Sequence, residues 1–420
     1  MHYDVIVIGA GIAGWVAATF LAQAGRKVLL LAAGVGATHV SSGCVDVLGR
    51  VGEADVASPR AALSDWIAQR PAHPYALIGP ARLEQALAYF QEQCLRAGWR
   101  YVGGLDDNWR LPTALGTVRP TCLAPESMIA GDARQPGGML LVGFRPLRDF
   151  YPQYAAANLA ARGLAARGVY LDVPALRGRD QIAATELARV LDEPGPRQQV
   201  LRVLKAAADG AERVGMPAVL GLRDQQLWRE LSDALGRPLF EIPTLPPSVP
   251  GVRLYEAWRA LFREAGGRAQ IGFPVAGAET EDRRVRAVFV ASSVRTVRYE
   301  ARHFVLATGG LYGHGLLTDA AGDVVESIFH LPLRDVPARA EWLASQPSRP
   351  HPIYATGVPV DPELRPIDER GQVVFENLYA AGAILAGGDG PRAGVGDGVA
   401  IGSAYAAAAA ILAADRSLHR

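Results

Sequence analysis

Two short, unbroken apolar runs open the chain, at residues 5–8 and 28–31, with a helix-spaced apolar stretch at 14–24 between them. Apolar runs without polar alternation read as parallel strands buried on both faces. Gly25 stands where a helix C-cap belongs. The pattern predicts strand, helix, strand: one βαβ unit at the N-terminus. Residues 49 to 249 are richer in Pro and Trp, with helical patterns at 81–97 and 151–167 and a glycine-flanked apolar strand at 139–142. From about residue 250 the pattern predicts a helix at 252–265 capped by Gly266-Gly267. Strands follow at 270–275, 284–292 and 294–298, leading into Phe304-Val-Leu-Ala-Thr-Gly-Gly310. After a polar, Pro-rich stretch at 332–352 come a buried strand at 378–382, a Gly-rich loop and an Ala-rich helix. The expected fold is α/β: a discontinuous Rossmann-like domain of residues 1–48, 250–330 and 355–420, with an inserted α+β domain of residues 49–249.

The first chemical signal lies inside the βαβ unit. Gly9-Ala-Gly11-Ile-Ala-Gly14 follows the first strand and opens the first helix, the context that gives a GxGxxG motif meaning. Gly9 permits the tight turn, Gly11 lets a phosphate reach the backbone, and Gly14 lets helix and strand pack closely. The phosphate would sit on free N–H groups at the positive helix end. A dinucleotide site then places Asp or Glu at the end of the second strand to hold the adenosine ribose. Here that position reads Leu31-Ala32-Ala33-Gly34, with no carboxylate. The expected cofactor is therefore a mononucleotide, FMN, with FAD as the alternative if the ribose is held otherwise. Ser41, Ser42 and Gly43 offer hydroxyls and a flexible backbone to a phosphate or flavin edge. Thr308 and Gly309 end a strand that rejoins the sheet, and Gly382, Gly396 and Gly398 lead into the terminal helix. The positive end of that helix suits the flavin N1–C2=O edge, where charge gathers on reduction.

Composition excludes more than it selects. With 43 basic and 42 acidic residues the formal charge is +1, so no overall field favours nucleic acid or an anionic membrane. Cys44, Cys94 and Cys122 are scattered, so neither a metal site nor an iron–sulfur cluster is expected. The apolar run at 401–414 is shorter than the roughly 20 residues that cross a bilayer. The expectation is a cytoplasmic protein that meets a membrane only through a partner.

His39-Val-Ser-Ser-Gly-Cys-Val-Asp46, Ala72-His-Pro-Tyr75 with Gly79-Pro80, Leu115-Gly-Thr-Val-Arg119, and Pro243-Thr-Leu-Pro-Pro-Ser-Val249 with Gly251-Val-Arg253 carry a closer likeness. The motif order resembles that of two-domain flavoproteins allied to fumarate reductase and D-amino-acid oxidase. In these details the chain resembles the B subunits of anaerobic glycerol-3-phosphate dehydrogenases, over essentially its whole length. The resemblance implies an FMN-bearing component of anaerobic respiration. A homologous, FAD-bearing catalytic partner would oxidise glycerol 3-phosphate to dihydroxyacetone phosphate, and an iron–sulfur partner would anchor the complex to the membrane and pass electrons to quinone.

Candidate catalytic residues are His39 and His73, as base or substrate-orienting groups, and Arg253, which with Arg119 has the chemistry to hold a substrate phosphate. The plainer reading of each histidine is a hydrogen-bonded structural residue, and of each Arg a solvated or salt-bridged one. Two rival functions stay open. One is a self-sufficient FAD-dependent oxidoreductase of the fumarate-reductase type; the other is a flavin-binding scaffold that performs no chemistry.

Overall fold

The structure, a computed structural model, describes residues 2–222, 226–291, 295–346, 349, 351–388 and 390–418. Ser292 and Val294, at the ends of two expected strands, and Asp389 of the Gly-rich loop lie outside the described residues. The chain divides into two compact units, Met1–Ala37 with Asp46–Gln93 and Ala257–Arg420, and Thr38–Val45 with Cys94–Glu256.

The first unit is built on the predicted βαβ element: strand β1 (His2–Ile8), helix α1 (Ile12–Gln23) and strand β2 (Val28–Ala32). Gly25, at φ 79°, donates its N–H to Ala22 and turns the chain out of α1. β1 lies between β2 and the strand Thr296–Leu306, parallel to both. Arg268–Ile271 extends the sheet beyond β2, and Leu378–Ala380 pairs in parallel with the far end of Thr296–Leu306. An antiparallel meander, Val275–Glu281 and Arg284–Ala291, completes the other side. The part of the expected strand from Thr296 onward is thus the front of one 11-residue strand that includes Phe304.

Two expectations about this unit change. Residues 49–93 belong to it rather than to the insertion. Their helices Pro59–Ala68 and Pro80–Arg96 bury apolar faces here, where Phe90 stacks on Trp258 at 5.6 Å and Tyr89 meets Phe20 edge-on at 5.2 Å. Their Pro and Trp content marked a change of local structure, not a change of core. The terminal helix also runs longer than the apolar run at 401–414, spanning Gly396–Leu418, and its stretch 396–416 is long and apolar enough to cross a membrane by length and composition. Glycines at its start extend it, and 56% of its most apolar window is buried in the unit. Its alanines, among them the fully buried Ala404, Ala407 and Ala408, let it lie close against α1.

The second unit is the expected insertion of helices and strands, and it includes two antiparallel strand pairs, Tyr101–Gly103 with Leu123–Pro125 and Trp109–Pro112 with Val118–Thr121. Its core is a four-stranded, wholly parallel sheet in the order Ala166–Leu171, Met139–Phe144, Arg213–Pro217, Leu239–Ile242. The last three of these strands are buried along their whole length, as parallel strands must be when helices cover both faces. The helix expected over 151–167 ends early, as Pro152–Ala160, and the chain turns at Gly163 (φ 82°) to form the strand Ala166–Leu171. Ala and Arg favour helix in isolation. Here tertiary packing overrides them: a Cβ on Gly168 would lie 2.2 Å from the Pro152 carbonyl oxygen, so the helix rests directly on the strand.

Candidate functional site

Within the first unit the carboxyl ends of the parallel strands line up. Gly9 donates to Leu31 O at 2.8 Å, Ala307 to Ile8 O at 2.8 Å, and Ala381 to Leu306 O at 2.9 Å. The turns that follow touch each other backbone to backbone. A Cβ on Gly9 would stand 2.1 Å from Ala307 O, and Gly9 sits at φ +119°, a conformation side chains avoid. A Cβ on Gly14 would stand 1.9 Å from Gly9 O. Gly310 approaches Ala383 O, Gly382 approaches the Ala13 Cβ, and the Gly382 N–H is held by Ser403 Oγ of the terminal helix at 2.8 Å. Of the expected cofactor residues, Gly9, Gly11, Gly14, Thr308, Gly309 and Gly382 therefore converge on one edge, with Gly396 and Gly398 at the start of the adjoining helix.

Gly11 is the exception among the fingerprint glycines. A Cβ there would meet nothing within 4 Å, and its φ of −75° is open to any residue. It caps α1 without a side-chain hydrogen bond, and no acidic residue occupies the first turn. The helix thus presents free N–H groups to open space, the arrangement that receives a phosphate. Thr308 Oγ1 is buried on the adjacent turn with no protein partner, a second group available to a ligand. These features fit a flavin phosphate and its ribityl chain. At the ribose position Ala32 is buried and Ala33 exposed, and the backbone of Gly36 lies against Ala10 and Gly11, a Cβ there falling 2.7 Å from Gly11 N.

His73 lies in the same unit but not as a base. Its Nδ1 accepts the Tyr75 N–H at 3.1 Å, capping the helix Pro74–Ile78, and Trp66 meets its ring edge-on at 4.5 Å. Burial, with Arg70 nearby, pushes its pKa down to about 3, so it is neutral at working pH. With Nδ1 accepting, the proton sits on Nε2, and no lone pair is left to take another.

The remaining candidates belong to the second unit. Ser41 Oγ accepts from Gly43 N at 3.2 Å and Ser42 Oγ from Cys44 N at 3.3 Å, local turns that shape the Ser-Ser-Gly loop. Arg119 donates to Ser42 Oγ at 3.4 Å. Gly251 allows its helix to approach the loop, since a Cβ would lie 2.6 Å from Thr38 O. His39 packs edge-on to Tyr255 at 5.4 Å. Arg253 is corrected from substrate ligand to structural anchor. It is buried and forms a bidentate pair with Glu241 (2.7 and 3.0 Å), donates to Gly221 O at 2.8 Å and to Leu220 O, and faces Trp99. A guanidinium so engaged has no fork left for a phosphate.

The sequence marks Tyr75 only as part of the Ala72-His-Pro-Tyr75 likeness and gives it no role of its own. Its side chain is buried, and its hydroxyl reaches Val47 O at 2.8 Å and Val395 O at 3.1 Å. No local pattern links residues 320 positions apart.

A parallel-sheet edge with a glycine fingerprint and an open helix terminus defines a nucleotide-cofactor flavoprotein, and the FAD binding domain family matches residues 4–399. The chain is 35% identical over 428 residues to the B subunit of anaerobic glycerol-3-phosphate dehydrogenase from Pectobacterium carotovorum subsp. carotovorum (strain PC1), covering 98% of this chain and 99% of that one. It is also 35% identical over 424 residues to the protein of that name from Yersinia enterocolitica, covering 99% of each. Among solved structures it is similar to 3-ketosteroid delta1-dehydrogenase from Sterolibacterium denitrificans, with a TM-score of 0.48 and 14% identity, covering 98% of this chain and all of that one. The chain belongs to the family of anaerobic glycerol-3-phosphate dehydrogenase B subunits, within the flavoproteins of the FAD binding domain type.

Proposed function

We propose that the chain is the flavin-bearing B subunit of a quinone-linked glycerol-3-phosphate dehydrogenase. The complex would oxidise sn-glycerol 3-phosphate to dihydroxyacetone phosphate, this chain standing beside a homologous FAD-bearing catalytic partner and an iron–sulfur, membrane-anchoring partner. The observation that carries the flavin role is the uncapped start of α1, where Gly11 faces open space. The near full-length identity to proteins named for this dehydrogenase supports the choice of substrate.

Gly9 and Gly14 would shape the turn, the amides at the start of α1 would hold the phosphate, and Thr308 Oγ1 would bond the bound chain. Gly309, Gly382, Gly396 and Gly398 stay with the proposed cofactor site of the first unit; Ser41, Ser42 and Gly43 of the second unit stay as separate cofactor-binding candidates, and His39 as a candidate for orienting substrate. The bound flavin supplies a two-electron acceptor able to release electrons singly. The favoured flavin is FMN: Ala33 offers no carboxylate to an adenosine ribose, and Gly36 lies against the loop where a second nucleotide half would pass. Cluster relays need sets of cysteines, and three scattered ones do not supply them, so electrons would leave to the iron–sulfur partner. The complex would be cytoplasmic and reach the membrane through that partner.

Two measurements test this reading. Chromatography of flavin released by denaturation should give FMN; FAD as the main species refutes the mononucleotide. Quinone reduction by glycerol 3-phosphate should fail with the isolated chain and appear on co-expression with a cluster-bearing partner. Rapid turnover by the isolated chain would favour a self-sufficient oxidoreductase instead.

A further inference from the structure

The start of the terminal helix is held by several ties to the segment that follows the Ser-Ser-Gly loop. Gly398 N donates to Asp46 O at 2.9 Å, Asp46 N donates to Asp397 Oδ2 at 3.2 Å, and Gly49 N donates to Ala393 O at 2.8 Å. Tyr75 bridges the same two stretches of chain from a third direction, its single phenolic hydroxyl lying between Val47 O (2.8 Å) and Val395 O (3.1 Å). The fit is close. A Cβ on Gly398 would fall 2.2 Å from the Tyr75 hydroxyl and 3.1 Å from Val47 Cα and Cγ2, so the phenol is the severest of the contacts that exclude a side chain there. Tyr75 is itself held from behind. The neutral His73 ring accepts its backbone N–H, and both rings pack on Trp66.

We propose that Tyr75 is a positioning residue of the flavin site. Its hydroxyl fixes the first turn of the terminal helix, and through that turn it sets how strongly the chain holds reduced relative to oxidised flavin. The inference rests on the flavin reading above. A helix start acts on a ligand through its remaining amides, its dipole and the charge in its first turn, here the Asp397 carboxylate held by Asp46 N, and all of these fall off within one turn. A small rotation of that turn therefore matters more to the anion-bearing reduced cofactor than to the oxidised one. Tyr75→Phe keeps the ring and removes the one hydroxyl proton that the two carbonyls share, so the Val47 carbonyl loses this donor while the Val395 carbonyl keeps Val399 N at 2.9 Å, and the turn is freed to relax.

The test uses the flavin-loaded chain with four variants: Tyr75→Phe, Gly398→Ala, the two combined, and Asn377→Ala. The last removes a buried side chain that bridges Val285 and Arg302 elsewhere in the unit, as a stability control. Flavin affinity by fluorescence, two-electron midpoint potential and Tm are read for each. Tyr75→Phe should bind oxidised flavin slightly more weakly and reduced flavin about tenfold more weakly still, lowering the midpoint by about 30 mV. Gly398→Ala should lower both Tm and affinity. Combining it with Tyr75→Phe should restore part of the Tm lost by Gly398→Ala alone, because the methyl then keeps only its 3.1 Å contacts with Val47. A Tyr75→Phe protein that loses Tm as Asn377→Ala does, with an unmoved midpoint, overturns the proposal and leaves Tyr75 a structural residue. Failure of the double variant to recover Tm also overturns it. A wild-type chain that binds no flavin at all overturns the flavin reading and this inference together.

Discussion

The Gly11→Asp substitution separates folding from cofactor binding, because the two should move in opposite directions. In the free protein the new carboxylate points into open space from an allowed backbone conformation. It also occupies an N-cap position, where Asp is preferred over Gly by a few tenths of a kcal/mol. Its charge faces the positive end of α1, worth about 0.3–1 kcal/mol more. The flavin-free variant should therefore fold and be equal to or slightly more stable than wild type. With a phosphate at the same helix start, two negative charges about 4 Å apart at an effective dielectric of about 20 repel by about 4 kcal/mol. That is roughly a thousandfold in affinity.

The assay is thermal denaturation of the flavin-free protein beside fluorescence titration with FMN at several salt concentrations. Weakened binding that partly recovers with salt marks the loss as electrostatic. Gly11→Ala should bind nearly normally, since a methyl there meets nothing. Gly14→Ala should unfold or misfold, since its methyl would stand 1.9 Å from Gly9 O. A folded Gly11→Asp protein that binds FMN within tenfold of wild type would refute the placement of phosphate at α1. An unfolded one would refute the assignment of Gly11 to the ligand rather than to the turn.

Arg253→Ala should destabilise the protein by about 3–5 kcal/mol, because it strands the buried Glu241 carboxylate without its partner. Denaturant unfolding checks this, and a stability unchanged from wild type would return Arg253 to the candidate substrate ligands. His73, whose pKa is lowered to about 3 from 6.5, should make unfolding take up about one proton between those values. The unfolded chain binds that proton while the folded one does not, so stability falls as pH falls from 6.5 toward 3. His303, also lowered by burial, acts with the same sign. His73→Asn keeps the capping acceptor and should flatten its share of the slope in a Tm-versus-pH series; an unchanged slope would show that His73 is protonated in the folded state.

The part of the fold that could be read from residues is the part where chemistry is local. β1, α1 and β2 stand where apolar runs and glycines put them, because a GxGxxG turn is specified within six residues. The strand at 378–380 and the terminal helix were legible for the same reason. The second unit was not: its helix Pro152–Ala160 and strand Ala166–Leu171 share an Ala- and Arg-rich composition, and only pairing with Met139–Phe144 decides which part is strand. His73 and Arg253 look alike in sequence to catalytic residues. Their hydrogen-bond partners, Tyr75 N in one case and Glu241 with two carbonyls in the other, decide otherwise. Tyr75 stands in a legible motif, Ala72-His-Pro-Tyr75, but its contact with residue 395 is not written in any local pattern.

The carboxyl ends of the parallel strands differ between the two units in what they leave open to a nucleotide. In open α/β sheets a ligand enters at the carboxyl ends of the strands, where the strand order reverses. In the second unit the reversal falls between Met139–Phe144 and Arg213–Pro217. The chain leaving Arg213–Pro217 is closed down there: Leu220 N donates to Glu241, and Arg253 ties Glu241 to the Leu220 and Gly221 carbonyls. Glu241, Arg253 and the Leu220 and Gly221 carbonyls satisfy one another in the interior, where an unpaired charge is costly. The matching edge of the first unit does the reverse. Its turns are glycines pressed backbone to backbone, its helix start carries no cap, and Gly11 faces open space. An edge that leaves amides unsatisfied is stable only if water or a ligand meets them, and that requirement ties the stability of this unit to what it binds.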